Sequence, residues 1–293
     1  MSDLLTQNNI YPLTVVIATL GGKTLTKTIE KLNHGTIIPS EILLCIPERE
    51  SKRVEYLLTE NVKIVITQCR GQVAQRAVGF QQASNDYVLQ LDDDIYVNNN
   101  CLKSLINCIS GNNKTAVGPK LYDINTGRYH SFMTAATNDS SWINKLLFWV
   151  VNGSSGYEPG KISKSGINMG LLEDAGNWVD IDWLPGGCVL HYKDNLFLYD
   201  FYPFKGKAFA EDLYHSILLK NNGIRLKRCD DAICNVDFSS DVGFNIIEFV
   251  KSYFKYTRAM TRLAKGSYSR LPRLYCSIVL IIINNITRKL LKF

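Results

Sequence analysis

None of the eight cysteines (45, 69, 101, 108, 188, 229, 234 and 276) forms a C-x-x-C pair. Disulfide frameworks and zinc sites usually show tighter spacing, so reduced thiols in a cytosolic compartment are expected. The opening residues, MSDLLTQNNIYP, lack the basic start and long apolar core of a signal peptide. The apolar stretch Leu274 to Ile283 falls well short of the ~18–20 residues that span a bilayer. There is no repeat period and no low-complexity tract, and the lack of a G-x-x-x-x-G-K-[ST] spacing excludes an NTPase P-loop. What is present, 46% hydrophobic and 20% charged residues in a chain of 293, describes an ordinary globular protein with a sizeable core.

Acidic residues are missing from one region altogether. Residues 251–293 hold ten of the 33 Lys and Arg and no Asp or Glu, so the first 250 residues carry 23 basic against 27 acidic side chains. A nucleic-acid footprint would spread a basic stripe through the folded body, so no nucleic-acid partner is expected.

The first hundred residues alternate strands and helices. LTVVIATLGG (13–22) reads as a buried strand entering a loop, and KTLTKTIEKLN (23–33) follows with Leu25, Ile29 and Leu32 at helical spacing. EILLCIP (41–47) and VKIVIT (62–67) are further strands, with 49–59 a helix between them; QVAQRAVGFQQA (72–83) is another helix. YVLQL (87–91) is a fourth strand. This order predicts βαβ units and a mostly parallel sheet flanked by helices. YVLQL delivers the chain to Asp92, Asp93 and Asp94, after which Ile95, Tyr96 and Val97 resume the apolar run. Three adjacent carboxylates need water or a cation. In open parallel sheets ligands bind beyond the carboxyl ends of strands, where this triplet, Ala18–Gly22 and Pro47-Glu48 all fall. A solvated turn stays open as the alternative.

The second half is less regular. WINKLLFWVVNG (142–153) reads as an apolar helix and SGYEPGKISKSGINMG (155–170) as a Gly/Ser-rich loop with room to move. WVDIDWLPGGCVLHY (178–192) alternates until Pro185-Gly186-Gly187 breaks it. FAEDLYHSILLKNNG (209–223) is a helix opening on Glu211-Asp212 and stopped by Asn221-Asn222-Gly223. Acidic residues in a first turn serve as caps; they also fix a carboxylate at a helix mouth, where a general base is useful.

In this order, VVIAT, GQVAQRAVG, LDDD, VDIDWLPGGCVLHY and AEDLYHSILLKNNG resemble the inverting, family-2 glycosyltransferases of the GT-A fold, the group that builds bacterial polysaccharides. The resemblance covers roughly residues 12–240. It implies a Rossmann-like α/β catalytic domain over 1–240, with 12–100 serving the nucleotide and 101–240 the acceptor. It implies that Ala18-Thr19-Leu20 lies along the nucleotide, that Asp92 and Asp93 serve the donor, and that Asp94, with Asp92, holds Mg²⁺ or Mn²⁺ on its diphosphate. Arg76 matches a basic residue serving the nucleotide or the aspartates. Gly186-Gly187 matches a pair that lets backbone approach the sugar, and Asp212 matches the catalytic base, with Glu211 beside it among the binding residues. A UDP-sugar is the implied donor.

Three positions depart from the family pattern. Glu48 stands where many relatives place an aspartate that reads the nucleobase or ribose. Asn235 replaces a histidine that helps hold the metal or diphosphate, and Asp237 is the nearby oxygen donor that could substitute. The Arg-Asn pair of the third helix reads Arg76-Ala77 here.

Residues 241–293 read as a basic amphipathic helical extension. Phe249, Tyr253, Tyr256 and Met260 fall along one face, with Lys251, Lys255, Arg258 and Arg262 on others. Such a segment suits peripheral attachment to the cytoplasmic membrane surface, which fits a lipid-linked glycan acceptor; packing against the catalytic domain is the other reading. Two further functions stay open: a non-catalytic nucleotide- or glycan-binding member of a membrane assembly, and a nucleotidyltransferase, which shares sheet architecture and metal-binding aspartates and whose phosphate-gripping loop Gly21-Gly22-Lys23 keeps possible.

Overall fold

A strand buried on both faces must be apolar at consecutive positions rather than alternate ones. Val15 to Ile17 and Ile42 to Ile46 are such runs. A computed structural model describes residues 10–130, 142–174, 176–204, 208 and 210–237, and single positions between 247 and 283. Two compact units result: 1–130 with 176–180 and 184–239, and 131–175 with 181–183 and 240–293.

The first unit is built on β1 (Ile10–Ala18), α1 (Leu25–Asn33), β2 (Ile38–Pro47), β3 (Val62–Thr67), α2 (Gln72–Gln82) and β4 (Tyr87–Leu91). It continues with β5 (Ile95–Val97), α3 (Cys101–Ile109) and β6 (Thr115–Asp123). β7 (Trp178–Val179), β8 (Cys188–Tyr192), α5 (Glu211–Asn221) and β9 (Arg225–Val236) complete it, while α4 (Trp142–Asn152) belongs to the second unit. The strands form one sheet in the order β3-β2-β1-β4-β8-β6-β9-β5, with β7 on β9. β3, β2, β1 and β4 are mutually parallel, as the alternating pattern predicts, and β8 enters antiparallel to β4 and β6.

The pleat sorts the core. Val15, Ile17, Ile42, Leu44, Leu89 and Leu91 point to the side covered by α1 and α3. Val16, Leu43, Cys45 and Val88 point the other way, onto Phe80 and Ala83. Residues 49–59 are not the expected α-helix. Two 3₁₀ turns, Glu48–Arg53 and Glu55–Leu57, take their place, because Val54 and Leu57 are their only buried side chains and no apolar stripe holds a longer helix to the sheet.

In the second unit, α4 buries Phe148 and Val151. The Gly/Ser-rich segment after it is tied down by hydrogen bonds. Asn152 donates to the Gly156 carbonyl and to Glu158, Gly160 and Met169 pair through backbone, and the Trp183 indole donates to the Met169 carbonyl. Positions 251, 252, 254 and 255, and 272, 273, 275, 276, 279, 280 and 283, are helical. Phe249, Tyr253, Tyr256 and Met260 lie outside the described residues.

Candidate active site

The carboxyl ends of β1 and β4 lie side by side because the two strands pair in register from Leu13↔Tyr87 to Ile17↔Leu91. Thr19 and the aspartate triplet therefore leave the sheet together. The Thr19 hydroxyl donates to the Asp93 carboxylate, and the Thr28 hydroxyl of α1 donates to the Asp93 carbonyl at 2.9 Å. Ala18 and Leu20 flank Thr19, and the Leu20 carbonyl accepts from Arg53 at 3.2 Å. Glu48 is exposed just beyond β2.

Helix α2 aims three polar side chains at these ends. Gln75 is buried and donates to the carbonyls of Thr19 (2.9 Å) and Cys45 (2.7 Å), clamping the exits of β1 and β2. Gln72 donates to Asp92 at 2.7 Å. Arg76, 2% exposed, donates one nitrogen to Asp92 and another, at 2.7 Å, to Glu211. Its charge is thus committed to two carboxylates, one on the triplet and one on the first turn of α5. Those carboxylates, working against burial, hold the guanidinium firmly protonated.

Gly186 and Gly187 sit between these groups. Gln90, buried in the middle of β4, donates to the Gly186 carbonyl, and Asp92 N–H donates to that of Gly187 at 2.8 Å. A Cβ on Gly187 would stand 3.1 Å from an Asp92 oxygen and 2.5 Å from Ile95, and one on Gly186 would stand 2.8 Å from Glu211 and 3.2 Å from the Asp212 Cβ. Only glycine lets the backbone pass between the triplet and α5. The site thus joins the triplet, Arg76, Gly186-Gly187 and Glu211-Asp212 in one contiguous arrangement.

Electrostatics separates the carboxylates by task. Burial, then the neighbouring Glu211 charge, push Asp212 up to about 7, against the Leu213 N–H that it accepts at 2.9 Å. Burial, then Asp92 and Asp93, push Asp94 up to about 6, with a smaller push from Asp237. Burial raises Asp93 as well, against the Thr19 bond. Asp237 accepts from Asn125 at 2.9 Å, and Asn235 donates to Asn98 at 2.7 Å.

Among the described residues no three His, Cys, Asp or Glu side chains form a ready-made metal cage. Hard divalent cations at a diphosphate need only one or two carboxylates, the phosphates supplying the rest. The oxygen-only triplet, whose Asp94 carries negative charge that its surroundings disfavour, fits that mode.

Sequence reading missed Gln72, Gln75 and Gln90. The i, i+3, i+4 spacing of Gln72, Gln75 and Arg76 was the available signal, since it puts all three on one helix face. Gln90 gave a fainter one, as a lone amide inside an apolar strand.

Residues 14–157 match the family model described as Glycosyl transferase family 2. No curated protein sequence gives a significant match. Among solved structures, GalNAc-T7 crystallised with UDP, GalNAc and Mn²⁺ superposes with a TM-score of 0.59 at 16% identity, over 89% of this chain. This chain spans 49% of the length of that protein. TarS 1-349 of S. aureus superposes with a TM-score of 0.51 in complex with UDP-GlcNAc and 0.52 without it, both at 16% identity. Those matches cover 86% and 91% of this chain and 67% and 72% of TarS 1-349. At such identities the superpositions show the fold, a GT-A-like α/β arrangement, within which residues 14–157 are similar to the glycosyl transferase family 2 model.

Proposed function

We propose that this protein is a metal-dependent, inverting glycosyltransferase that moves a sugar from a UDP-sugar to a hydroxyl of a lipid-linked surface glycan of the bacterial polysaccharide type. The observation that carries the reading is Asp212, a carboxylate poised near neutrality beside Gly186 and joined through Glu211 and Arg76 to the aspartate triplet. UDP as donor is supported by the UDP-GlcNAc and UDP present in the TarS and GalNAc-T7 crystals.

The chain's own residues supply the base and the positioning for a single displacement. Asp212 accepts the proton of the acceptor hydroxyl as that oxygen attacks the anomeric carbon from the face opposite the nucleotide. The bond from that carbon to the diphosphate breaks, and its electron pair leaves with UDP. General-base assistance is worth about 10²–10⁴-fold, with positioning adding the rest. Asp94, with Asp92, would hold Mg²⁺ or Mn²⁺, which when bound stabilises the charge accumulating on the leaving diphosphate. Arg76 keeps Asp92 and Glu211 at fixed separation, so the donor end and the base end stay in register.

The test is turnover of a panel of UDP-sugars with Mn²⁺, followed by NMR of the product. An α-linked donor should yield a β-linked product, and Asp94→Ala should lose metal-dependent nucleotide binding in calorimetric titration. A retained anomeric configuration would sink the mechanism.

A further inference from the structure

We propose that one face of the second unit is a docking surface for an anionic lipid bilayer, on which this protein lies without crossing it. No residue of the donor site enters the proposal, so it stands or falls apart from the transferase reading.

The face is apolar where a soluble helix should be polar. Leu146 and Trp149 are three residues apart on α4, hence on one side of it. Tyr275, Val279 and Ile283 repeat every four residues at helical positions, and Ile247 and Phe254 are seven apart, two turns of a helix. Each of these side chains is between 45% and 61% exposed. Single exposed apolar residues are ordinary, whereas stripes at helical spacing on neighbouring elements mark an interaction surface.

Two contacts join the stripes. The Phe254 and Tyr275 rings lie 6.5 Å apart, and Arg273 donates to the carbonyls of Trp149 and Val150 at 3.2 Å each. Arg273 therefore stands at the same corner as the exposed indole. Lys164 joins it there. A Cβ on Gly153 would lie 3.5 Å from the Arg273 guanidinium and 3.6 Å from the Lys164 ammonium. Both cations line an open cavity of about 570 Å³, whose own acids are Glu158, bonded by Asn152, and Asp182, paired with Lys161 at 3.7 Å.

Charge selects the occupant. Residues 251–293 hold ten Lys and Arg and no acid, so this stretch of one copy would repel that of a second. A nucleic acid would satisfy the cations and leave Leu146, Val279 and Ile283 in water. An anionic lipid surface satisfies both, with indole and phenol rings at the headgroup level, aliphatic side chains just below it and cations on the phosphates. Among the described residues no helix is long and apolar enough to cross a membrane, so the geometry is that of a helix face lying in the interface.

The experiment is flotation of the full chain with phosphatidylcholine vesicles, with and without phosphatidylglycerol. Binding should require the anionic lipid and weaken as salt rises. The double variant Trp149→Ala, Val279→Asn should bind at least tenfold more weakly, since apolar burial and charge contribute jointly. Because a substitution can perturb folding, unaltered protein is also mixed with vesicles carrying brominated acyl chains. Its tryptophan emission should be quenched, and Trp149→Phe should float as before but lose most of the quenching. Equal binding to neutral vesicles, no binding to either, full binding by the double variant, or a salt-resistant dimer that shields Trp149 would each overturn the proposal.

Discussion

Asp212 is the residue on which the proposed activity and stability pull in opposite directions. Its carboxyl sits at about 7 in the folded protein against 3.8 ordinarily, so the native state binds this proton more tightly than the unfolded chain does. Ionising it therefore removes stability as pH rises from about 4 to about 7. In the proposed mechanism, turnover needs the ionised form. The ratio kcat/KM is expected to rise with pH and level off above about 7, with that limb set by Asp212. Asp212→Asn should lose about 10²–10⁴-fold in kcat. It should also melt at a higher temperature than the unaltered protein at pH 8, the difference shrinking toward pH 4. A pH–rate profile and thermal melts of the two proteins check both halves, and a melting difference that does not change with pH would contradict the assignment.

At the scale of elements, the sheet is pinned at the end away from the site. Glu41, 4% exposed on β2, accepts from Thr14 of β1 at 2.7 Å, from Lys63 of β3 at 2.9 Å, and from the Ser84 amide and hydroxyl just before β4. Burial alone would raise its pKa, but these four bonds outweigh it and bring the group from 4.5 down to about 2. Its contribution is therefore complete above about 4.5 and lost as pH falls toward 2. Glu41→Ala should cost about 2–4 kcal/mol in urea unfolding at pH 7 and much less near pH 2, because it strands buried donors on neighbouring strands. The strands that meet at Glu41 were also the legible ones, since two-sided burial writes continuous apolar runs that need no partner to be recognised. β5, α3 and β6 were not predicted: Ile95–Val97 is too short to carry a period, and Thr115–Asp123 interrupts its pattern with Gly118, Pro119 and Lys120. At the site, the charged groups announced themselves. The amides of Gln72, Gln75 and Gln90 did not, because an uncharged hydrogen-bonding side chain has meaning only once its partner's position is known.

For the whole molecule, the proposed donor binding would couple the triplet to folding through ligand linkage. UDP with Mn²⁺ at about 100 times its dissociation constant should stabilise the protein by about 2.7 kcal/mol, visible as a raised Tm. Asp94→Ala should abolish the metal-dependent part of that rise, while UDP with chelator should give little. A rise that is the same with and without Mn²⁺ would remove the metal from the donor site. Glu41 has a consequence that reaches beyond any one experiment. Its clasp gathers β1, β2, β3 and the approach to β4 at one end of the sheet, and the loops that follow Ala18, Pro47, Thr67 and Leu91 fan out at the other. A lineage built this way can redraft its chemistry without renegotiating its architecture, for mutations in those loops leave the knot that keeps the strands together untouched.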